Sequence, residues 1–228
     1  MCPPNNRADT WVGPYKLLHS FGCPGDMIKI DLKKDLKRLY QASAREPAIV
    51  EVPAMNFLML DGAGDPNDSP HFQAATAALV SVAYTLRSMV KQEQTIDYGV
   101  MPLEGLWSAD DPTQFTPDRK DLWKWTLMIM QPVFVTSNLV RLALEQVSKK
   151  KNLPDVDRMK FLRYREGLAA QILHVGPYAE EWPVVAGLHG FIQARGYQLR
   201  GNHHEIYLKD PRRCAPEKLQ TIIRQPIA

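Results

Sequence analysis

The sequence predicts an α+β fold built from two β-α-β-β lobes with antiparallel sheets. Three observations predict it. The order strand, Gly/Pro turn, helix, strand, strand runs through the chain twice. The long helix of each round carries apolar residues at helical spacing, as expected of a helix packed on one face of a sheet. A Lys/Pro/Asp linker at 149–158 separates the two rounds. Residues 27–228 therefore read as one domain, with a first lobe at about 48–150 and a second at about 158–228. Two facing lobes leave a cleft, and clefts at lobe interfaces are favoured ligand sites.

Residues 1–26 are rich in Pro, Gly and Asn without a clear period, and read as a loosely ordered N-terminal extension. Residues 27–44 alternate Lys and Asp with Ile30, Leu32, Leu36, Leu39 and Tyr40, which suits a short helix or arm on the surface, interrupted at Pro47. The stretch "AIVEVPAMNFLMLD" at 48–61 is strand-like, with Pro53 marking an edge or bulge. "GAGDPND" is a loop; Ser69 and Pro70 then supply an N-cap and a first helical residue. Phe72, Ala75, Leu79, Val82, Leu86 and Val90 follow at helical spacing, which predicts a helix over 70–90.

Strands are expected at 95–107 and 122–131, around a polar loop at 108–121. A second helix is expected at 136–149, capped by Ser137 and basic at its C-terminal end, as the helix dipole favours. Strands at 160–165 and 168–175 open the second lobe. A helix over 179–195 presents Trp182, Val185, Leu188 and Ile192 on one face and stops at Gly196. The last strands are expected at 198–208 and 221–227.

Composition narrows the function classes. Twenty-eight Lys and Arg face 25 Asp and Glu, a net charge of +3, so nucleic acid is not an expected partner. The basic clusters at 29–38, at 148–151 and at Arg212 and Arg213 read as solvated surface. Cys2, Cys23 and Cys214 form no CxxC pair, which argues against a disulfide framework or a zinc knuckle and for the reducing cytoplasm. No apolar run approaches the roughly 18 residues of a membrane span, and the N-terminus lacks a secretory pattern.

Several stretches are more specific: "DLKKDLKRL" (31–39), "PAIVEVPAMNFLMLDGAGDP" (47–66), "EGLW" (104–107), "WKWTLMIMQP" (123–132), "HVGPY" (174–178) and the tail "HHEIYLKDPRRCAPEKLQTIIRQP" (203–226). In them the chain resembles the stand-alone subgroup of the GyrI-like family of small-molecule-binding proteins, over roughly residues 30–228. The resemblance implies a pseudo-twofold symmetric pair of lobes with a ligand cavity between them. Relatives of that fold include effector domains of multidrug-sensing transcription regulators. One subgroup resembles hydrolases that open cyclopropane rings of DNA-alkylating natural products within an aromatic cage. Residues 1–26 lie outside the pattern, and Cys214 stands where the family has a small polar residue.

Strand alternation in "HHEIYLKD" sets His203, Glu205 and Tyr207 on one face, with Glu205 and Tyr207 about 7 Å apart. A carboxylate beside a phenol on an apolar cleft wall can attract a cation, or deprotonate a water while the phenol donates to a developing oxyanion. These two are the candidate catalytic residues; the bland alternative pairs Glu205 with Arg212 or Arg213 on an edge strand. Trp123 and Trp125 share a strand face, and Trp107 ends the neighbouring strand. They offer either an aromatic wall for a planar or cationic ligand, or ordinary core. Glu104, Tyr178 and Tyr84 complete the candidate ligand-binding set; Pro102 and Gly105 suggest a bulge that leaves the face of Glu104 unassigned. His203 and His204 point to opposite faces, so no metal site is expected, and no nucleotide or cofactor motif is present: "GAGDPND" reads as a turn.

The expected function is capture of a bulky, largely apolar or cationic aromatic small molecule, such as a xenobiotic, with hydrolysis of a strained ring in the same cleft as the alternative. A DNA-binding helix-turn-helix is not expected in the 46 residues before the first lobe, which hold at most one short helix.

Overall fold

The computed structural model describes residues 8–12, 15–19, 27–151 and 153–228. Two short strands, β1 (Ala8–Val12) and β2 (Tyr15–His19), pair antiparallel. The rest of the segment expected to be a loosely ordered extension lies outside the described residues. The expected surface arm is more structured than its sequence suggested. Strand β3 (Ile28–Ile30) pairs in parallel with β6 (Ile96–Tyr98), and two helical turns follow, α1 (Leu32–Asp35) and α2 (Lys37–Tyr40). They bury Leu32, Leu36, Leu39 and Tyr40, the apolar half of the Lys/Asp alternation.

The stretch expected as one strand at 48–61 is two. Pro53 has no N–H for a ladder and breaks it into β4 (Ala48–Val52) and β5 (Met55–Ala63). Helix α3 (Pro70–Gln94) begins as expected: the Ser69 hydroxyl accepts from the Phe72 N–H at 3.2 Å, and Pro70 takes the first turn. Its stripe Leu79, Val82, Leu86 and Val90 is fully buried; burying each such side chain contributes about 1.5–3 kcal/mol. Strands β7 (Leu103–Ser108) and β8 (Lys124–Gln131) complete the first lobe, and α4 (Ser137–Lys150) packs on α3. Its cap is Thr136 rather than Ser137; the Thr136 hydroxyl accepts from the Leu139 N–H at 3.3 Å.

The second lobe runs β9 (Lys160–Tyr164), β10 (Gly167–Val175), α5 (Trp182–Ala194), β11 (His203–Tyr207) and β12 (Gln220–Pro226). The helix starts three residues later than expected, because Pro183 belongs in a first turn and Tyr178–Glu180 form a separate 3-10 turn. Strand β11 is shorter than expected; of residues 198–202, only Leu199 makes a bridge, to Ile227.

Eight strands form one antiparallel sheet in the order β4-β10-β12-β11-β7-β8-β5-β9. The order is symmetric about the β7–β11 pair: β5, α3, β7 and β8 match β10, α5, β11 and β12. Each lobe also lends its leading strand to the other. β4 precedes β5 yet pairs with β10, and β9 precedes β10 yet pairs with β5. In a flat sheet β4 and β5 would stand about 29 Å apart at ~4.8 Å per strand. Only Pro53 and Ala54 join them, and such a link reaches ~11 Å at most. The sheet must therefore curl until its edges nearly meet, as an incomplete barrel.

The register fixes two faces. Directly opposed residues share a face, so His203, Glu205 and Tyr207 lie with Trp107, Gly105 and Leu103 of β7 and with Ile223 and Thr221 of β12. Both long helices cover this face. Phe72 of α3 stacks on Trp107 at 5.9 Å, while Val185, Leu188 and Ile192 of α5 pack with Ile223. The opposite face carries Glu104, Leu106, His204, Ile206, Ile222 and Arg224, closed over by α1 and α2. Among the described residues, no helix is long and apolar enough to cross a membrane.

Candidate active site

Between the two helices, the β11 face forms the floor of a pocket. A strap at 109–123 crosses it, built from two Pro-started 3-10 turns at Pro112–Gln114 and Pro117–Leu122. The strap is pinned where the Trp123 indole N–H donates to the Thr116 carbonyl at 3.1 Å. Phe115 is its keystone: its ring lies 4.7 Å from Trp123, 6.1 Å from Trp182 and 5.7 Å from His203. Phe115, Lys120, Trp123, Tyr178, Glu181, Trp182, Val185, His203 and Glu205 line a cavity of about 60 Å³. That volume holds a handful of waters; a bulky ligand enters only if the strap lifts.

Glu205 is the best-held group in the pocket. The Tyr207 hydroxyl donates to its Oε2 at 2.6 Å, and His203 Nε2 lies 3.1 Å from its Oε1. Burial pushes the carboxyl up, but the hydrogen bond and charge of His203, the Tyr207 hydroxyl and the charge of His204 together outweigh it and hold Glu205 below the usual carboxylate range. Burial and the Glu205 charge push Tyr207 well above 10, so it stays a donor.

Glu181 is the opposite case. It caps α5 without bonding to it and is 7% exposed; its Oε1 has no hydrogen-bond partner. Burial first, then the charge of Glu205, raises its carboxyl to about 8; Thr221 and Lys120 pull the other way, but the Thr221 hydroxyl reaches no normal hydrogen-bond geometry. The two carboxyl groups of the pocket are thus pushed in opposite directions, Glu205 down and Glu181 up. Tyr178 adds an edge-on ring 5.7 Å from Tyr207, and burial raises its phenol to about 12.

Of the expected site residues, Glu205, Tyr207, Tyr178 and Trp123 come together here. Trp107 stands one layer behind, edge-on to Trp123 at 5.5 Å, and Trp125 lies deeper still, against Phe72 and His71. Both indoles lie back over glycines: a Cβ on Gly105 would stand 2.7 Å from Trp107 Nε1, and one on Gly62 only 2.2 Å from the Trp125 ring. Two expected residues are elsewhere. Tyr84 is 56% exposed, off the buried stripe of α3. Glu104 is on the far face, because β7 pairs without a break and the bulge expected at Gly105 does not form. One alternative partner of Glu205 is also engaged differently: Arg212 bonds Asp210. Glu181, Phe115 and Trp182 were not expected as site residues. The signal for Glu181 was Pro183, which sets the helix start and turns the preceding glutamate into a cap residue. Among the described residues, no cluster of three or more His, Cys, Asp or Glu could hold a metal ion.

A family model for the GyrI-like small molecule binding domain matches residues 45–228, and the chain belongs to that family. An uncharacterized conserved protein from Listeria innocua is 40% identical, with TM-score 0.81 over 87% of this chain and all of its own. A Listeria innocua structure named a hydrolase is 41% identical, with TM-score 0.78 over 88% of this chain and all of its own. The C-terminal domain of EcmrR shares the fold at 12% identity, with TM-score 0.52 over 80% of this chain and 97% of that domain. No curated protein matches the chain.

Proposed function

We propose that the protein binds planar, largely apolar organic molecules in this pocket and hydrolyses reactive ones, opening a strained ring such as a cyclopropane by adding water. One observation carries the reading: two carboxyl groups line one aromatic wall in opposite settings, Glu205 held by the Tyr207 hydroxyl and His203, Glu181 buried with its Oε1 unpartnered and its carboxyl raised by burial and by Glu205. Paired groups pushed to opposite protonation states are how one site runs acid and base chemistry near pH 7. The hydrolase name carried by Listeria relatives at 40% and 41% identity supports it. The sequence alone favoured binding over hydrolysis. Glu181 favours hydrolysis, because it sets a proton donor beside the carboxylate where ring opening needs both. Neutral substrates suit the pocket better than cations: the Glu205 charge is already shared with the Tyr207 hydroxyl and His203, one bond to each oxygen, and Lys120 adds a positive charge to the lining.

In this mechanism the aromatic body of the substrate lies between Phe115, Trp123 and Trp182. Glu205 takes a proton from a water as its oxygen attacks a ring carbon. A C–O bond forms and the strained C–C bond breaks. The released electron pair passes to a conjugated carbonyl oxygen, which takes the proton of Glu181. Proton return from Glu205 to Glu181 through solvent resets the site. Tyr207 and His203 orient the Glu205 carboxylate throughout.

The test is titration with cyclopropane-bearing electrophiles, followed by intrinsic tryptophan fluorescence and by mass analysis of the recovered ligand. Wild type should quench saturably and return the water adduct. Glu205→Gln should still bind but lose at least ~100-fold in turnover. Equal turnover by Glu205→Gln would sink the mechanism. Saturable quenching with the ligand recovered intact from wild type would make the protein a sequestering binder.

A further inference from the structure

Behind the pocket floor lies a second cluster of ionisable groups that the mechanism does not use. His204 is 1% exposed and turned away from the pocket, and both its ring nitrogens meet carboxylates: Nε2 lies 3.0 Å from Glu104 Oε2 and Nδ1 lies 2.9 Å from Glu166 Oε1. A neutral imidazole has only one N–H, so two carboxylate partners demand the imidazolium. The cluster extends in both directions. The Tyr40 hydroxyl donates to Glu104 Oε1 at 2.7 Å, and Arg224 donates to Glu166 Oε2 at 3.2 Å, to Gln171 at 3.0 Å and to the Leu39 carbonyl. Two carboxylates thus balance two cations, all of them buried. They tie together β7, the β9–β10 bend, β10, β11, β12 and α2.

We propose that His204 is a positioning residue for Glu205: clamped between two buried carboxylates behind the floor, it locks β11 in the register that turns Glu205 into the pocket and sets a permanent cation at its back. The proposal rests on reading Glu205 as the working carboxylate. The register argument is geometric. His204 faces Leu106 of β7 and Arg224 of β12, while Glu205 faces Gly105 and Ile223. A slip of one residue would turn Glu205 to the far face and bring His203 among the buried carboxylates. In the other direction the slip would set Glu205 itself between Glu104 and Glu166 and cost two charge-assisted hydrogen bonds, each about twice as strong as a neutral one. A buried ionic cluster that fixes register is the best-attested use of such groups. The electrostatic argument follows from the same contacts. Glu205 is faced by His203 and Tyr207 of its own strand, by Glu181 and Tyr178 before α5, by Lys120 of the strap and, through the sheet, by His204.

The test reads Glu205 directly, without turnover. The side-chain carboxyl carbon of Glu205 is followed by carbon-13 NMR from pH 7 to pH 3, its signal assigned by its loss in Glu205→Gln. In His204→Gln the midpoint should move up by about one pH unit. An unchanged midpoint in the folded variant would leave His204 a purely structural residue and overturn the proposal. Where His204→Gln alone does not fold, the pair His204→Gln with Glu166→Gln removes one charge of each sign and restores the balance. His204 is among the charges that act on Glu205 and Glu166, bonded to His204 Nδ1, is not, so a smaller rise is expected there, and no rise would again overturn the proposal. Failure of hydrolysis in wild type would refute the proposed function while leaving this titration intact.

Discussion

Replacing Glu181 by Gln should flatten the protein's loss of stability toward alkaline pH. In the folded protein burial and Glu205 hold the Glu181 carboxyl at about 8, against 4.5 for a free glutamate. Between those two values the folded chain keeps a proton that the unfolded chain releases. Stability from this group is therefore full below about pH 4.5, declines as pH rises, and is gone above about pH 8. The decline is about 1.4 kcal/mol per pH unit, or roughly 5 kcal/mol over the whole window. Gln keeps the shape and cannot ionise. The difference in unfolding free energy between Glu181→Gln and wild type should therefore grow in favour of the variant by about 2–3 kcal/mol from pH 5.5 to pH 7.5. Urea unfolding of both proteins at several pH values in that range measures it; groups away from the pocket cancel in the difference, and Glu205, held below the usual carboxylate range, stays ionised throughout it. A difference flat to within ~0.5 kcal/mol would mean that Glu181 is ionised in the folded protein, and the acid in the proposed mechanism would be lost with it.

Phe115→Ala should remove the ring that links the strap to Trp182 and His203; ligand association followed by stopped-flow tryptophan quenching should speed up while affinity falls by about tenfold. Slower association would show that Phe115 does not cover the pocket. Gly105→Ala would set a methyl 2.7 Å from Trp107 Nε1; the indole must tilt, with a loss of about 1–3 kcal/mol in urea unfolding and a shift in tryptophan emission. Unchanged stability and emission would mean that the indole has room it is not shown to have.

The doubled element order was legible because each element declares itself locally. Ser69 and Pro70 announce α3, and the spacing from Phe72 to Val90 its buried face. The strand exchange was not legible. Pro53 marks a break in the ladder, but no local pattern says that the two halves of the stretch pair at opposite ends of a sheet. Register was half legible. Alternation alone set His203, Glu205 and Tyr207 on one face, whereas a bulge assumed from Pro102 and Gly105 hid the side taken by Glu104. Gly105 is there for the indole above it, not for a kink. Tyr84 shows the limit of reading near a stripe: one position off the buried face of a helix turns a side chain by about 100°, enough to reach solvent. Phe115 was out of reach, since a polar loop gives no periodic signal from which to aim a single ring.

The exchanged strands also decide how this molecule can change shape. Two lobes joined by a linker could part like a clamshell around a guest. Here each lobe holds a strand of the other, and β7 pairs with β11 across the symmetry axis, so any such parting would have to tear ladder hydrogen bonds at three seams together. Hinge closure is thereby forbidden. What is left free of the ladder is the roof, a strap held by its own turns and by the Trp123 indole over a floor fixed by the sheet. Relatives with this floor would then differ in what they admit through the length and aromatic content of that one segment.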